Sequence, residues 1–159
     1  MLSFVVGAGI ALFALWAVSL QRRLVVLDEN IHQAMNQIGV QLASRFDALT
    51  ALLDLTGNYA ASECAALTEV VRTHRRVITA TAAPTDVLQQ EEVIAEALHH
   101  IVALADQYPQ LAQDEDYARR MRAVDSYARM MQTSRLIYND SVAKLNRTLR
   151  RFPTMLVGR

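Results

Sequence analysis

From Leu2 to Gln21 the chain carries no charged residue. A helix over that stretch rises about 30 Å, the thickness of a hydrocarbon core, so residues 1–21 read as one transmembrane helix before anything else is decided. Trp16 lies near the end that runs into Arg22 and Arg23, where an amphipathic ring and two cations suit the headgroup layer. A cleaved signal peptide competes, since Ala17-Val18-Ser19 loosely resembles a cleavage site, but no basic stretch precedes the apolar run and a retained anchor is the better reading. With Arg22 and Arg23 after the span and no Lys or Arg before it, the positive-inside rule puts the N-terminus outside and the bulk of the chain in the cytoplasm. Ser3, Gly7 and Ala11 stand four apart on one stripe where a second membrane helix can approach, although small residues are common in such spans without that role.

Residues 22–159 read as all-helical. Hydrophobic residues make up 52% of the 159, with only 5 Gly and 3 Pro, which is too apolar for disorder and too poor in turn-formers for a many-stranded β fold. Lys and Arg total 16 against 16 Asp and Glu, so charge gives no nucleic-acid partner. Cys64 is the single cysteine, which excludes an internal disulfide and any thiolate metal cluster.

Past Arg23 the apolar residues keep helical steps through Leu24, Ile31, Met35, Ile38, Leu42, Leu49 and Leu52, so the first soluble helix continues from the membrane span. Gly57-Asn58 offers a stop, after which Tyr59 to Ile78 reads helical again, with Thr79 to Thr85 as a loop. Asp86 with Gln89 forms a capping-box pattern for a helix that runs to Gln107 and ends at Tyr108-Pro109. A further helix carries Tyr117, Met121, Val124, Ala128, Met131, Tyr138, Val142, Leu145, Leu149 and Phe152 in a three-four rhythm, and Pro153 closes it. The expected fold is an N-terminal transmembrane helix continuing into an up-and-down bundle of three to four long helices.

Residues 77–116 hold eight acids and no Lys or Arg, whereas 117–159 hold ten Lys and Arg and two acids, a segregation of −8 against +8. Antiparallel neighbours of opposite charge are guided into register by such faces, though exposed pairs contribute only about 0–1 kcal/mol each. Three charges fall on the apolar seam itself: Arg45, Glu91 and Arg135. A charge facing a core needs a partner, and Glu91 is the natural one for either arginine; the alternative is that each Arg carries its stem over the seam and reaches water.

Chemistry is thinly signalled. Glu29-x-x-His32 and Glu96-x-x-His99 have the spacing by which di-iron bundles present two ligands on one helix face, which makes a metal-dependent helical bundle enzyme the rival reading. Such a site needs two further Glu from other helices at the same depth, whereas Glu29 lies barely two turns past the membrane span. Cys64 sits among small residues with no flanking cation to activate its thiol. No phosphate loop or catalytic triad pattern is present, and His74-Arg75-Arg76 with Arg72 reads as a solvated basic helix end.

Several segments resemble the LemA family of single-pass bacterial membrane proteins. Gln37-Ile38-Gly39-Val40-Gln41-Leu42 followed by Arg45-Phe46-Asp47 is similar to the family's Q-I-x-V-Q-L-x-x-R-[YF]-D, and Tyr59-Ala60 with Glu63 resembles G-Y-A-x-x-E. Ala97-Leu98 leading to Tyr108-Pro109 and Leu111 resembles A-L…A-Y-P-x-L, and Arg135, Tyr138-Asn139, Val142, Asn146 and Phe152-Pro153 resemble R-x-x-Y-N-x-x-V-x-x-Y-N…F-P. Departures are Thr50 in place of a helix proline, Met35 in place of Trp, and Ala128 in place of an acid, which adds weight to Glu91 as the seam partner. The resemblance implies an anchor in the bacterial inner membrane, a cytoplasmic bundle, no cofactor and no established enzymatic activity. Magnetosome-associated members are linked to membrane invagination, so by analogy the expected role is a membrane-organising scaffold. Besides the lipid bilayer, the expected partners are further copies of the chain, in a homo-oligomer, or another membrane or cytoskeletal protein.

Overall fold

The computed structural model describes residues 2–150, with side chains from Val6 onward. Helix α1 (Leu2–Gly57) runs without interruption. It is followed by α2 (Ala61–His74), α3 (Pro84–Gln107), the single turn α4 (Pro109–Ala112) and α5 (Glu115–Leu149). The described residues contain no strand, and the fold is all-α. Contacts divide the chain into two compact units, residues 34–135 and residues 1–33 with 136–159.

Residues 34–135 form an up-and-down bundle. Its core takes Met35, Ile38, Leu42, Phe46, Leu49, Leu52 and Leu53 from α1, Ile94 and Ile101 from α3, and Val124 and Met131 from α5. The α1 residues follow the three-four steps that put one stripe of a helix on a common face. Strand-free loops make the reversals. Tyr59, just past the end of α1, meets Asp114, just before α5, so these two helices run antiparallel. Glu91, early in α3, meets Arg135, late in this part of α5, which makes that pair antiparallel too.

Two local details differ from expectation. The segment from Tyr59 to Ile78 is helical only over α2, and residues 75–83 are the loop. Helix α3 starts at Pro84, whose missing N–H suits a first helical position, and Asp86 occupies the third position. Its carboxylate accepts from the Ala83 N–H at 3.2 Å, but Ala83 has no side-chain oxygen to return the bond, so only half of a capping box forms. Helix α5 begins at Glu115, and past Met131 its expected seam continues half-buried through Tyr138, Val142, Leu145 and Leu149, while Leu136 and Ile137, off that row, are 70% and 53% exposed. Phe152 and Pro153 lie outside the described residues.

In the other unit, α1 over residues 2–33 lies beside the second half of α5, with Leu20 and Ser141 buried. The apolar part of α1 preceding Leu20 is otherwise open: Ile10, Leu12, Phe13 and Leu15 are each exposed by 64% or more. α1 is the one described helix long and apolar enough to cross a membrane.

Candidate functional site

The residues of the bundle that are hardest to explain by packing alone are its seam charges. Arg135 Nη1 donates to Glu91 Oε2 at 2.8 Å, with the Glu91 side chain only 21% exposed and that of Arg135 42%. Arg45 is half-buried on the same seam, and among the described residues its Nε has no hydrogen-bond partner. Burial lowers the Arg45 pKa, and the negative charges of Glu91 and then Asp125 oppose that shift. One carboxylate therefore serves two guanidinium groups, by hydrogen bond to Arg135 and through its field to Arg45. Asp125 is a contributor that sequence reasoning missed. It stands three residues before Ala128, one turn from where the family resemblance leads one to expect an acid.

The residues after Arg45 turn to a second task. Phe46 is 1% exposed and carries the Arg75 guanidinium 5.9 Å from its ring centroid, while Arg75 Nη1 reaches Asp47 Oδ1 at 2.7 Å. The basic end of α2 thus folds onto α1 through Arg75, whereas Arg72 pairs with Glu69 in its own helix at 2.9 Å. Two further contacts fix the loop. Gln90, 2% exposed, accepts from the Arg76 N–H at 2.8 Å and donates through Nε2 to the His74 carbonyl at 2.7 Å. Gly39 lets the Ile78 carbonyl approach so closely that a Cβ there would collide with the Ile78 oxygen. Nothing in the sequence marks Gln90, which looks like one polar residue among several.

At the opposite end the Tyr59 hydroxyl donates to Asp114 Oδ2 at 3.0 Å, and Asp114 Oδ1 accepts from the Asp116 N–H at 2.7 Å, capping α5. The Asp116 N–H first, and the Tyr59 hydroxyl second, hold the Asp114 carboxyl below its ordinary value. The bond to Asp114 correspondingly raises the Tyr59 pKa. The bond from Tyr59 to Asp114 joins residues 55 positions apart, and no local pattern in the sequence marks it.

Between α2 and α3 lies a groove of about 380 Å³. Leu67, Val70, Val93 and Leu104 supply its apolar wall, with Glu63, Glu96 and His100 also lining it. His99, paired with Glu96 in the metal reading, does not line it, and His32 Nδ1 contacts the Asp28 carbonyl at 2.8 Å, one turn back in its own helix. Among the described residues no three His, Cys, Asp or Glu are grouped to hold a metal ion. Cys64 is buried, which raises its thiol pKa and leaves it poorly suited to nucleophilic work.

Of the membrane-side residues, Trp16 is partly covered and stands 5.7 Å from Phe13 between ring centroids. Gly7 and Ala11 are exposed, with open space where a Cβ at Gly7 would sit; the side chain of Ser3 lies outside the described residues. Arg22 and Arg23 are exposed at the point where the apolar run ends.

The model of the LemA family matches residues 34–159. No curated protein matches the chain.

Proposed function

The chain belongs to the LemA family, and from that premise we propose that it is a membrane-anchored, non-enzymatic scaffold that organises or reshapes the bilayer by assembling with copies of itself or with another membrane or cytoskeletal protein. Family membership fits a membrane-associated protein. The observation that carries the reading is α1, whose apolar N-terminal part is almost wholly uncovered by the rest of the chain and whose later part supplies one wall of the bundle core. An uncovered apolar helix of this length is stable in a bilayer and a liability in water. The same helix therefore carries both the membrane-seeking segment and core residues of the bundle.

Surface remains for assembly. Gly7 and Ala11 present small side chains along the span, and Val25, Val26, Leu136 and Ile137 are each more than half exposed beyond it. Confinement to one membrane raises the effective concentration of copies, so weak contacts suffice. Arg22 and Arg23 favour an N-terminus outside and a bundle in the cytoplasm under the positive-inside rule, and membership of the LemA family makes the bacterial inner membrane the proposed location.

Chemical crosslinking in native membranes, followed by mass-spectrometric identification of the products, tests this reading. Crosslinks between copies of the chain, or to one recurring membrane or cytoskeletal protein, are the expected result. Recovery of the chain only as an uncrosslinked monomer, under conditions that crosslink a known oligomer in the same membranes, would contradict it.

A further inference from the structure

We propose that the groove between α1 and the closing turns of α5 binds the headgroup of an anionic phospholipid. The inference rests on the reading of α1 as a membrane span. The groove encloses about 570 Å³ and is lined by Leu20, Arg22, Arg23 and Leu27 of α1 with Lys144 and Thr148 of α5. Leu20, Leu27, Lys144 and Thr148 all belong to the unit of residues 1–33 and 136–159.

Depth makes this a lipid site. If Leu2–Gln21 fills the hydrocarbon core, Arg22 and Arg23 stand at the phosphate level. The stretch from Leu20 to Leu27 rises about 10 Å, enough to cross the headgroup layer. Leu20 then marks the acyl-chain end of the groove and the cations its phosphate end. Three cations around one apolar cleft match a phosphodiester attached to a hydrocarbon chain, and Arg is suited to phosphate because its planar fork offers parallel N–H donors.

The pairing inside the groove leaves capacity for such a ligand. Among the described residues neither Arg22 nor Arg23 has an ion-pair partner, and both are exposed. Lys144 reaches Asp140 at 2.7 Å, with both side chains more than half exposed. That exposed pair is weak, and an ammonium with three N–H donors can hold a carboxylate and a phosphate together. What separates this groove from the general attraction of basic juxtamembrane residues is Lys144: it lies 121 positions after Arg23 and is brought there only by the fold.

Trp16 is the single tryptophan and lies one helical turn before Leu20, so it reports on lipid beside the groove. The full chain is reconstituted in phosphatidylcholine nanodiscs containing a small, equal fraction of brominated phosphatidylglycerol or brominated phosphatidylcholine, and bromine quenching of Trp16 is measured. Stronger quenching by the brominated phosphatidylglycerol is expected. Lys144→Gln is expected to lower that preference about fivefold, the effect of one surface cation on anionic lipid. Arg119→Gln, a change of the same charge in the other unit, leaves it intact. Equal quenching by the two lipids, or a preference that survives Lys144→Gln, overturns the groove as the site. Loss of the preference on adding millimolar inorganic phosphate at constant ionic strength identifies a free-phosphate site and overturns the lipid assignment. Absence of quenching by either lipid overturns the membrane-span reading itself, an outcome distinct from failure of the groove.

Discussion

Glu91 of α3 accepts a hydrogen bond from Arg135 of α5 at 2.8 Å, on a seam that also carries the half-buried Arg45. The pair ties two antiparallel helices at one level of the bundle. Glu91→Ala removes the acceptor and takes away the carboxylate whose charge acts on both Arg135 and the half-buried Arg45. A hydrogen bond to a charged group contributes about 1.5–3 kcal/mol, so chemical denaturation of the variant should show a loss in that range. Arg135→Ala should cost less, because Arg45 still balances Glu91. A change within about 0.5 kcal/mol for Glu91→Ala, the size expected of an ordinary surface substitution, would show that both arginines are satisfied by water.

Gly39→Ala tests the contact between α1 and the loop after α2. Helix propensity alone favours alanine by about 1 kcal/mol. The new Cβ would meet the Ile78 carbonyl, a backbone atom with little room to move, and overpacking of that kind costs about 1–3 kcal/mol. The variant should melt below the parent. Gly57→Ala is the control: its added Cβ would lie 3.9 Å from the Cys64 Cβ, an ordinary contact, and no melting-temperature loss of that size is expected.

Asp114 gives a pH dependence of known sign. Its folded carboxyl titrates below its unfolded value, so it adds stability above that value, near pH 4, and the contribution is lost as the pH falls through the folded pKa. Glu63 and Glu69 act with the same sign, through hydrogen bonds from Ser62 and Arg72. Denaturant midpoints measured from pH 6 to pH 2 should fall on the acid side. Asp114→Asn keeps a good helix cap but removes the charge, so the acid slope should become shallower without disappearing. An unchanged slope would assign the acid dependence to the glutamates alone.

Orientation can be read separately. In a Cys64→Ser background, a membrane-impermeant maleimide should label Gln113→Cys, an exposed position, only after the cells are permeabilised. Labelling of intact cells would place the bundle outside.

Much of this architecture is legible in the sequence because it depends on local rules. The charge-free run, the three-four spacing from Met35 to Leu52 and the stop at Tyr108-Pro109 each act through neighbouring residues, and α3 ends at Gln107 as expected. Glu91 stands out because it breaks an apolar row. Contacts that depend on distant segments are not legible in this way. Arg75 reads as part of a solvated basic end until the loop brings it to Phe46 and Asp47. Gln90 serves two main-chain groups, the Arg76 N–H and the His74 carbonyl, of a loop whose path no local pattern specifies. Lys144 meets α1 only through the return of α5.

The central claim is assembly in the membrane, and the mass of the purified full chain in mild detergent tests it most directly. Light scattering coupled to sizing, corrected for bound detergent, should give a protein component that is a multiple of 17.8 kDa at micromolar concentration, and Gly7→Leu should reduce it if the small-residue stripe forms the contact. A larger assembly that survives Gly7→Leu would move the contact out of the membrane. A protein component of 17.8 kDa throughout would contradict self-assembly.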